Sequence, residues 1–192
     1  MRRIILALLL ALAMPSLVHA DGEMDKRLTP SDKQRLAGFD ATLQEALAEA
    51  KAGGAPEDVK LLDAALSGTP LPLAEGYDPA GDWRCRTIKA GGGLPLVVYG
   101  WFKCRISDDG AGWKLEKLTG SQRTSGSFYT LSATKLAYLG AGHYADEKPR
   151  RYGEEAKQDQ VAIVERRAEG RIILMFPAPQ FESKLDVLVL ER

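Results

Sequence analysis

Cysteine and histidine are scarce in this chain of 192 residues, which holds two of each. A structural zinc site uses four nitrogen, sulfur or oxygen ligands. Beyond the first twenty residues, His143 is the one histidine that could join Cys85 and Cys104. We therefore expect neither a bound metal nor a cofactor.

An excess of charge of one sign is also absent, because 26 basic residues balance 26 acidic ones. Proteins that bind nucleic acid in general present a basic surface that neutralises phosphates. Removal of the first twenty residues takes away Arg2 and Arg3 and leaves the charge slightly negative. The composition therefore argues against a nucleic acid partner.

Long apolar runs are absent beyond residue 20, so the mature chain is expected to have no membrane span. The one long run, IILALLLALAMPSLV, follows the basic start MRR and precedes a small-residue cleavage site, VHA, that ends at Ala20. This pattern predicts a secretory signal peptide over residues 1–20. A membrane anchor is the alternative, but the run contains Pro15 and is short of the ~20 apolar residues that span a bilayer. The short basic start is typical of bacteria and predicts a periplasmic or secreted protein.

Export determines how the two cysteines are interpreted. In an oxidising compartment, an even pair predicts a disulfide between Cys85 and Cys104. A crosslink that closes a loop of this length stabilises the fold by roughly 3 kcal/mol.

Helical periodicity follows a polar segment, residues 21–28, that we expect to be mobile. Apolar side chains then recur at three- and four-residue steps behind Thr29, the predicted N-cap, as far as a pair of glycines. A shorter helix begins at Pro56 and ends at Gly68. These two helices make up a predicted N-terminal helical segment over 21–68.

A Pro- and Gly-rich linker over 69–80 precedes a domain, residues 81–192, with the alternation of strands. Turn residues divide this domain into predicted strands at 81–89, 95–107, 112–118, 121–130, 134–139, 160–166, 171–177 and 183–191. The last strand is apolar and is expected to close the sheet. The predicted fold class is mainly β (α+β): an antiparallel β-barrel or sandwich of about eight strands with two N-terminal helices.

Cations alternate with the cysteines in GDWRCRTIK, residues 81–89, and in GWFKCRIS, residues 100–107. If Cys85 lies opposite Cys104, like charges face each other across the two strands, which is unfavourable. The facing pairs are then Arg84 with Arg105 and Arg86 with Lys103. Solvent, an anionic ligand or nearby acids would each relieve the repulsion. The candidate acids are Glu116, Asp186 and Glu191.

The tripeptide Gly81-Asp82-Trp83 opens the first predicted strand, and Arg192 follows the last. This arrangement resembles lipocalin-like barrels, in which a late arginine covers the indole of a Gly-x-Trp opening. A cation over a tryptophan ring contributes about 0.5–2 kcal/mol. The resemblance implies a barrel and no particular ligand, and an ordinary core tryptophan is the alternative.

Catalytic spacings occur without the structural context that they need. SATK, residues 132–135, matches Ser-x-x-Lys but lies in a predicted turn or strand rather than a helix. GAGHYA, residues 140–145, is similar to a phosphate loop but has no βαβ unit around it. His143 would serve as a general base only beside a nucleophile, for which serines between 121 and 134 are the candidates.

Two further stretches are rich in polar side chains. SQRTS, residues 121–125, would orient a polar ligand if it lined the mouth of a barrel, and a polar edge strand is the alternative. Residues 145–159 are dense in charge, and we predict a solvated surface loop there rather than a lid.

Several long strings together resemble an uncharacterised family of small exported proteins from Gram-negative bacteria, a domain of unknown function. The strings are GDWRCRTIK, PLVVYGWFKCRI, LEKLTGSQRTSG, YLGAGHY, RRYGEE and FPAPQFESKLDVLVL. The likeness extends from about residue 30 to the end of the chain. It implies an export signal, but no established activity, cofactor or catalytic residue.

Together these patterns favour a periplasmic binding or interaction module over an enzyme. The expected partner is a small anionic ligand or an acidic patch on an envelope protein. The predicted ligand-binding residues are Arg84, Arg86, Lys103, Arg105 and Arg123. One alternative is a hydrolase that uses His143 and a nearby serine. Another is a protease inhibitor or envelope scaffold with a protruding N-terminal segment. The oligomeric state is left open.

Overall fold

Eight antiparallel strands close into a barrel in which each strand pairs with its neighbours in sequence. The computed structural model describes residues 22–73 and 76–192, so the predicted signal peptide lies outside the described residues. The strands are β1 (Gly81–Gly92), β2 (Leu96–Asp108), β3 (Trp113–Lys117), β4 (Gln122–Thr130), β5 (Lys135–Tyr144), β6 (Asp159–Ala168), β7 (Arg171–Pro177) and β8 (Ser183–Glu191). β8 pairs with β1, which confirms that the apolar last strand closes the sheet.

Helices precede the barrel and pack on its outer face. They are α1 (Gly22–Arg27), α2 (Pro30–Ala37), α3 (Phe39–Gly53) and α4 (Pro56–Leu66). Thr29 caps α2 as predicted, because its hydroxyl accepts the Asp32 N–H at 3.2 Å. The prediction of one continuous helix before the glycine pair was wrong. Gly38, a poor helix former, interrupts it, so that α2 contacts β6 while α3 contacts β1 and β8.

Residues 22–28 do not form the mobile polar segment that we expected. They contain α1, and the side chains of Met24 and Leu28 are buried against apolar residues on the outer face of β5 and β6. Two apolar side chains in a short polar stretch gave too weak a pattern to indicate this packing.

The glycines at the end of β1 let α3 approach the barrel closely. Ala46 and Ala50 on α3 are fully buried, and a Cβ at Gly91 would lie 3.2 Å from the Ala46 Cα. Gly91 also has a φ of +69°, which disfavours other residues. The Glu49 carboxylate accepts the Gly92 N–H at 2.9 Å. These glycines therefore allow α3 to pack closely on the barrel, and they also lead into the turn between β1 and β2.

One half of the barrel interior is an apolar core. Trp83, Leu115 and Tyr138 are buried there. The disulfide between Cys85 and Cys104 crosses from β1 to β2 within this core, with 5.8 Å between the Cα atoms, which confirms the predicted crosslink. The disulfide therefore joins the first hairpin from inside the barrel.

The described residues of the segment 69–80 lie at this end of the barrel. Leu73 is 3% exposed and belongs to the interior core. The Arg192 guanidinium lies 4.3 Å from the Trp83 ring centre and donates to two backbone carbonyls of the segment, each at 3.0 Å. Arg192 thus connects the backbone of residues 78–80 to the core side chain of Trp83.

The register of β1 with β2 differs by two residues from the one that we assumed. The observed partners are Cys85–Phe102, Trp83–Cys104, Arg84–Lys103, Arg86–Trp101 and Asp82–Arg105. The cysteines therefore share the inner face but lie diagonally, and their direct opposition was wrong. This register pairs an aspartate with an arginine where the assumed register opposed two arginines, which is more favourable.

A substitution of Gly140 on β5 would test how closely the residues beside the core are packed. It lies opposite Gly126, and a Cβ there would lie 2.2 Å from the Tyr138 hydroxyl and 2.5 Å from the Ser125 carbonyl oxygen. We expect Gly140→Ala to lower the free energy of unfolding by about 1–3 kcal/mol, measured by urea denaturation. Gly100→Ala is the control, because nothing lies within 4 Å of a Cβ there, and it should change stability by less than ~0.5 kcal/mol. Equal effects of the two variants would contradict the close packing.

Candidate functional site

The end of the barrel opposite Leu73 contains a cavity of about 120 Å³. Its walls come from the interior near the ends of several strands and from the loops after β5 and β7. Measured in this way, a cavity needs about 10–15 Å³ to hold one water molecule. The cavity therefore has room for several water molecules or for a small organic ligand.

Polar side chains take the place of apolar ones on the inner face at this end. Because successive side chains of a strand point to opposite faces, the inward-facing positions of the core continue along each strand into the cavity. These inward polar residues are Thr87 and Lys89 on β1, Lys117 on β3, Thr124 on β4, Gln160 on β6 and Asp186 on β8. The barrel interior is thus apolar at the end near Leu73 and charged at the cavity.

Lys89 is the paired cation of the cavity. Its side chain is 11% exposed, and its Nζ lies 2.5 Å from Glu182 and 4.0 Å from Asp186. Burial opposes the charge, but Asp186 and Glu182 outweigh burial and raise the pKa of Lys89 above its usual value. Burial in turn raises the pKa of Asp186, and the Lys89 charge limits that rise. Lys89 is therefore protonated at neutral pH.

Lys117 faces the same cavity without such partners. Its Nζ lies 3.4 Å from the Thr87 hydroxyl and 4.3 Å from the Phe102 ring centre. No carboxylate among the described residues lies within 4.0 Å of it. Burial lowers the pKa of Lys117 to about 8; the positive charges of Lys89 and Arg123 contribute to this, and the Asp186 carboxylate acts against it. A substantial fraction of this amine is neutral near physiological pH.

Hydroxyl groups and an amide form one wall of the cavity. The Thr124 hydroxyl donates to Gln160 Oε1 at 2.5 Å and lies 2.7 Å from the Tyr138 hydroxyl, which donates to it. Tyr138 is fully buried, so this chain of hydrogen bonds fixes the orientation of Thr124 and Gln160. The wall is therefore preorganised.

Arg123 and His143 face each other across β4 and β5, and both line the cavity. The Arg123 Nε donates to the Gly120 carbonyl at 3.1 Å, and no described carboxylate lies within 4.0 Å of the guanidinium. Burial, with Arg123 and Arg150, lowers the pKa of His143. Its Nδ1 is buried without a hydrogen-bond partner. No serine among the described residues hydrogen-bonds His143, so the hydrolase arrangement is not assembled.

The charged segment 145–159 forms one side of the mouth. Most of its side chains are exposed, which agrees with the prediction of a surface loop. The Tyr152 hydroxyl nevertheless donates to Asp32 at 2.5 Å and accepts the Thr29 N–H at 3.1 Å. The last residues of the segment, 157–159, line the cavity. The loop is therefore tied to α2 and contributes to the site.

The cations predicted from the sequence separate into two places. Arg84, Arg86, Lys103 and Arg105 share the outer face of β1 and β2, and we call them the outer basic patch. Arg123 lies apart from this patch, at the cavity.

Acids and an aromatic ring offset most of the outer basic patch. Arg84 pairs with Glu191, and Arg105 pairs with Asp82, each at 2.7 Å. The guanidinium groups of Arg84 and Arg86 also lie 4.3 and 4.4 Å from the Trp101 ring centre. Glu191 was among the acids considered from the sequence, whereas Asp82 and the stacking on Trp101 were missed.

The cavity lysines were not predicted from the sequence. Lys89 lies at the same strand parity as Cys85, and Lys117 at the same parity as Leu115. A polar residue at an inward position of a short strand was the signal that could have identified them.

Within residues 22–73 and 76–192, no group of three or more His, Cys, Asp or Glu side chains is arranged to hold a metal ion. No helix there is long and apolar enough to cross a membrane.

Comparison with protein families identifies one relationship. A family model described as a domain of unknown function (DUF4893) matches residues 25–190. No curated protein and no solved structure matches the chain. The lipocalin-like resemblance at Gly81-Asp82-Trp83 is therefore not confirmed, although the arginine-over-tryptophan contact that it implies is present.

The two cavity lysines should titrate in different pH ranges. We expect one lysine ε-carbon NMR signal to titrate near pH 8 and to be missing in Lys117→Arg, while Lys89 titrates above its ordinary value of 10.5. The folded pKa of Lys117 is the lower one, so the unfolded chain holds more protons between about pH 8 and 10.5. The unfavourable effect of Lys117 on stability should therefore fade over that window. Titration of all lysines near their ordinary pKa would contradict the burial of Lys117.

Proposed function

The chain belongs to the DUF4893 family, whose model matches most of its length, and on the basis of the cavity we propose that it binds a small carboxylate-bearing molecule in the mouth of the barrel. The ligand enters the polar end of the interior and meets the cations there. This proposal keeps the binding function expected from the sequence but moves the site from the outer basic patch to the cavity.

The observation that supports this proposal is a pair of cations without carboxylate partners. Lys117 and Arg123 line one cavity, and neither has a described carboxylate within 4.0 Å. A charge removed from water is costly unless it is paired. A ligand carboxylate would offset that cost, and arginine is suited to hold a carboxylate with two hydrogen bonds.

The preorganised wall supports the same proposal. The hydrogen bonds from Tyr138 through Thr124 to Gln160 hold polar groups in place before a ligand arrives. Fixed polar groups and a largely pre-formed cavity are typical of small-molecule sites.

The outer basic patch is a second candidate site, for an acidic surface of a protein partner. Trp101 remains 37% exposed between two arginines, and aromatic residues and arginine are enriched at protein interfaces. Exposed ion pairs with Asp82 and Glu191 already neutralise half of its charges, and exposed charges contribute little to binding. We therefore rank it below the cavity.

The other two hypotheses have less support. The hydrolase would need a nucleophile hydrogen-bonded to His143, and none is present among the described residues. The inhibitor would need a protruding segment near residues 21–28, and residues 22–28 instead pack on the barrel.

We also propose that the protein is exported to the periplasm. The support is the N-terminal pattern of residues 1–20 together with the crosslinked cysteines, since disulfides persist in oxidising compartments.

Export predicts a defined mature chain. When the full-length gene product is expressed in a Gram-negative bacterium, we expect it in the periplasmic fraction, with a mass that corresponds to cleavage after Ala20 and to one disulfide. A variant in which Leu8 and Leu9 are replaced by arginine should remain unprocessed, because the apolar run is interrupted. An uncleaved wild-type chain in the cytoplasm would contradict the proposal.

Binding at the cavity predicts a sharp difference between two lysine substitutions. Lactate is the probe, and isothermal titration calorimetry or NMR line shifts give its affinity. We expect Lys117→Met to weaken binding about 10- to 100-fold, since a charge-assisted hydrogen bond contributes about 1.5–3 kcal/mol. Arg123→Met should have a similar effect.

Lys103→Met in the outer basic patch is the matched control, because it also replaces one lysine of a strand with methionine. It should leave the affinity for lactate unchanged. An effect of Lys103→Met with none of Lys117→Met would move the site to the outer patch. Absence of lactate binding to the wild type at millimolar concentration would overturn the proposed function.

A further inference from the structure

We infer that Lys117 forms a reversible imine with the carbonyl carbon of a small 2-oxo acid held in the cavity. This inference rests on the proposed function and specifies the class of its ligand. The site would then distinguish a 2-oxo acid from the corresponding hydroxy acid, although both carry the same carboxylate.

The two cavity lysines occupy different environments, which suits them to different tasks. Lys89 is held between Glu182 and Asp186. Lys117 has a hydroxyl at 3.4 Å and an aromatic ring beside it, and no described carboxylate lies within 4.0 Å of its Nζ. An amine that is desolvated near other cations is a typical carbonyl nucleophile, because a large fraction of it is unprotonated. The pKa of about 8 agrees with this geometry.

The neighbouring groups complete the requirements for the reaction. Arg123 has no described carboxylate partner and would hold the ligand carboxylate. Because the carbonyl carbon of a 2-oxo acid is bonded directly to its carboxylate carbon, a cation for one group must lie near the amine for the other. Lys117 and Arg123 both line the cavity, and the charge of Arg123 lowers the pKa of Lys117, which is the observation that supports this arrangement.

Imine formation is a condensation that needs no oxidant. The neutral Lys117 amine attacks the carbonyl carbon, and the carbonyl oxygen takes up a proton as the C–N bond forms. The oxygen then leaves as water, and the nitrogen and carbon become a protonated imine. Asp186, which lines the same cavity and whose pKa burial raises, would exchange these protons. Addition of water reverses the step.

Reductive trapping tests the inference directly. The folded wild-type protein is incubated with pyruvate and sodium borohydride at pH 7.5, and peptide mass spectrometry locates the reduced adduct. We expect the adduct on Lys117 at a yield about tenfold or more above that of the exposed Lys103. The neutral fraction of an amine with a pKa of 8 exceeds that of an ordinary lysine by on the order of 100-fold at this pH.

The controls separate the imine from simple binding and from a folding defect. Lys117→Arg should lose the adduct at this position but keep the charge, and its urea denaturation midpoint checks that it folds. Arg123→Gln should lower the yield at subsaturating pyruvate and leave Lys117 in place. Lactate has no carbonyl group and should give no adduct.

Two outcomes would overturn the inference in different ways. If lactate and pyruvate bind with equal affinity and adducts are spread evenly over exposed lysines, the imine is excluded and the proposed function stands. If neither acid binds to the cavity, the inference and the proposed function both fall.

Discussion

The hydrogen-bonded pairing of β8 with β1 is the constraint on which the rest of the structure depends. It turns a meander with two free edges into a closed barrel, so every second side chain of all strands faces a common interior. β8 is also buried on its outer side, where Val187 and Val189 lie under the helices. The strand that completes the barrel therefore also attaches the helical layer to it.

Closure has opposite effects at the two ends of the interior. At one end Trp83, Leu115 and the disulfide fill the space with apolar groups. At the other end the same alternation directs Lys89 and Lys117 inward, into the cavity. Among the described residues, only Lys89 has carboxylates within 4.0 Å, so the difference between the lysines arises from what β8 and the loop before it place beside each one.

Most of the fold was predictable because strand and turn patterns are local. The eight strands, the disulfide and the Thr29 cap follow from alternation, an even cysteine pair and a short capping signal. The register of β1 with β2 was not predictable, because diagonal cysteines satisfy a disulfide as well as opposed ones do. The cavity was harder to predict than the register. Lys117 lies in a strand with charged neighbours, and it differs from them only in facing inward, as Leu115 two residues earlier does.

Leu73 and its apolar neighbours fill one end of the barrel interior, and this bears on the kind of molecule that fits. A ligand of the cavity would enter and leave at the other end, beside Tyr144 and Phe181, which are both more than half exposed. A molecule longer than the cavity would project into solvent there. Recognition would then be confined to the part of the molecule that lies inside the barrel.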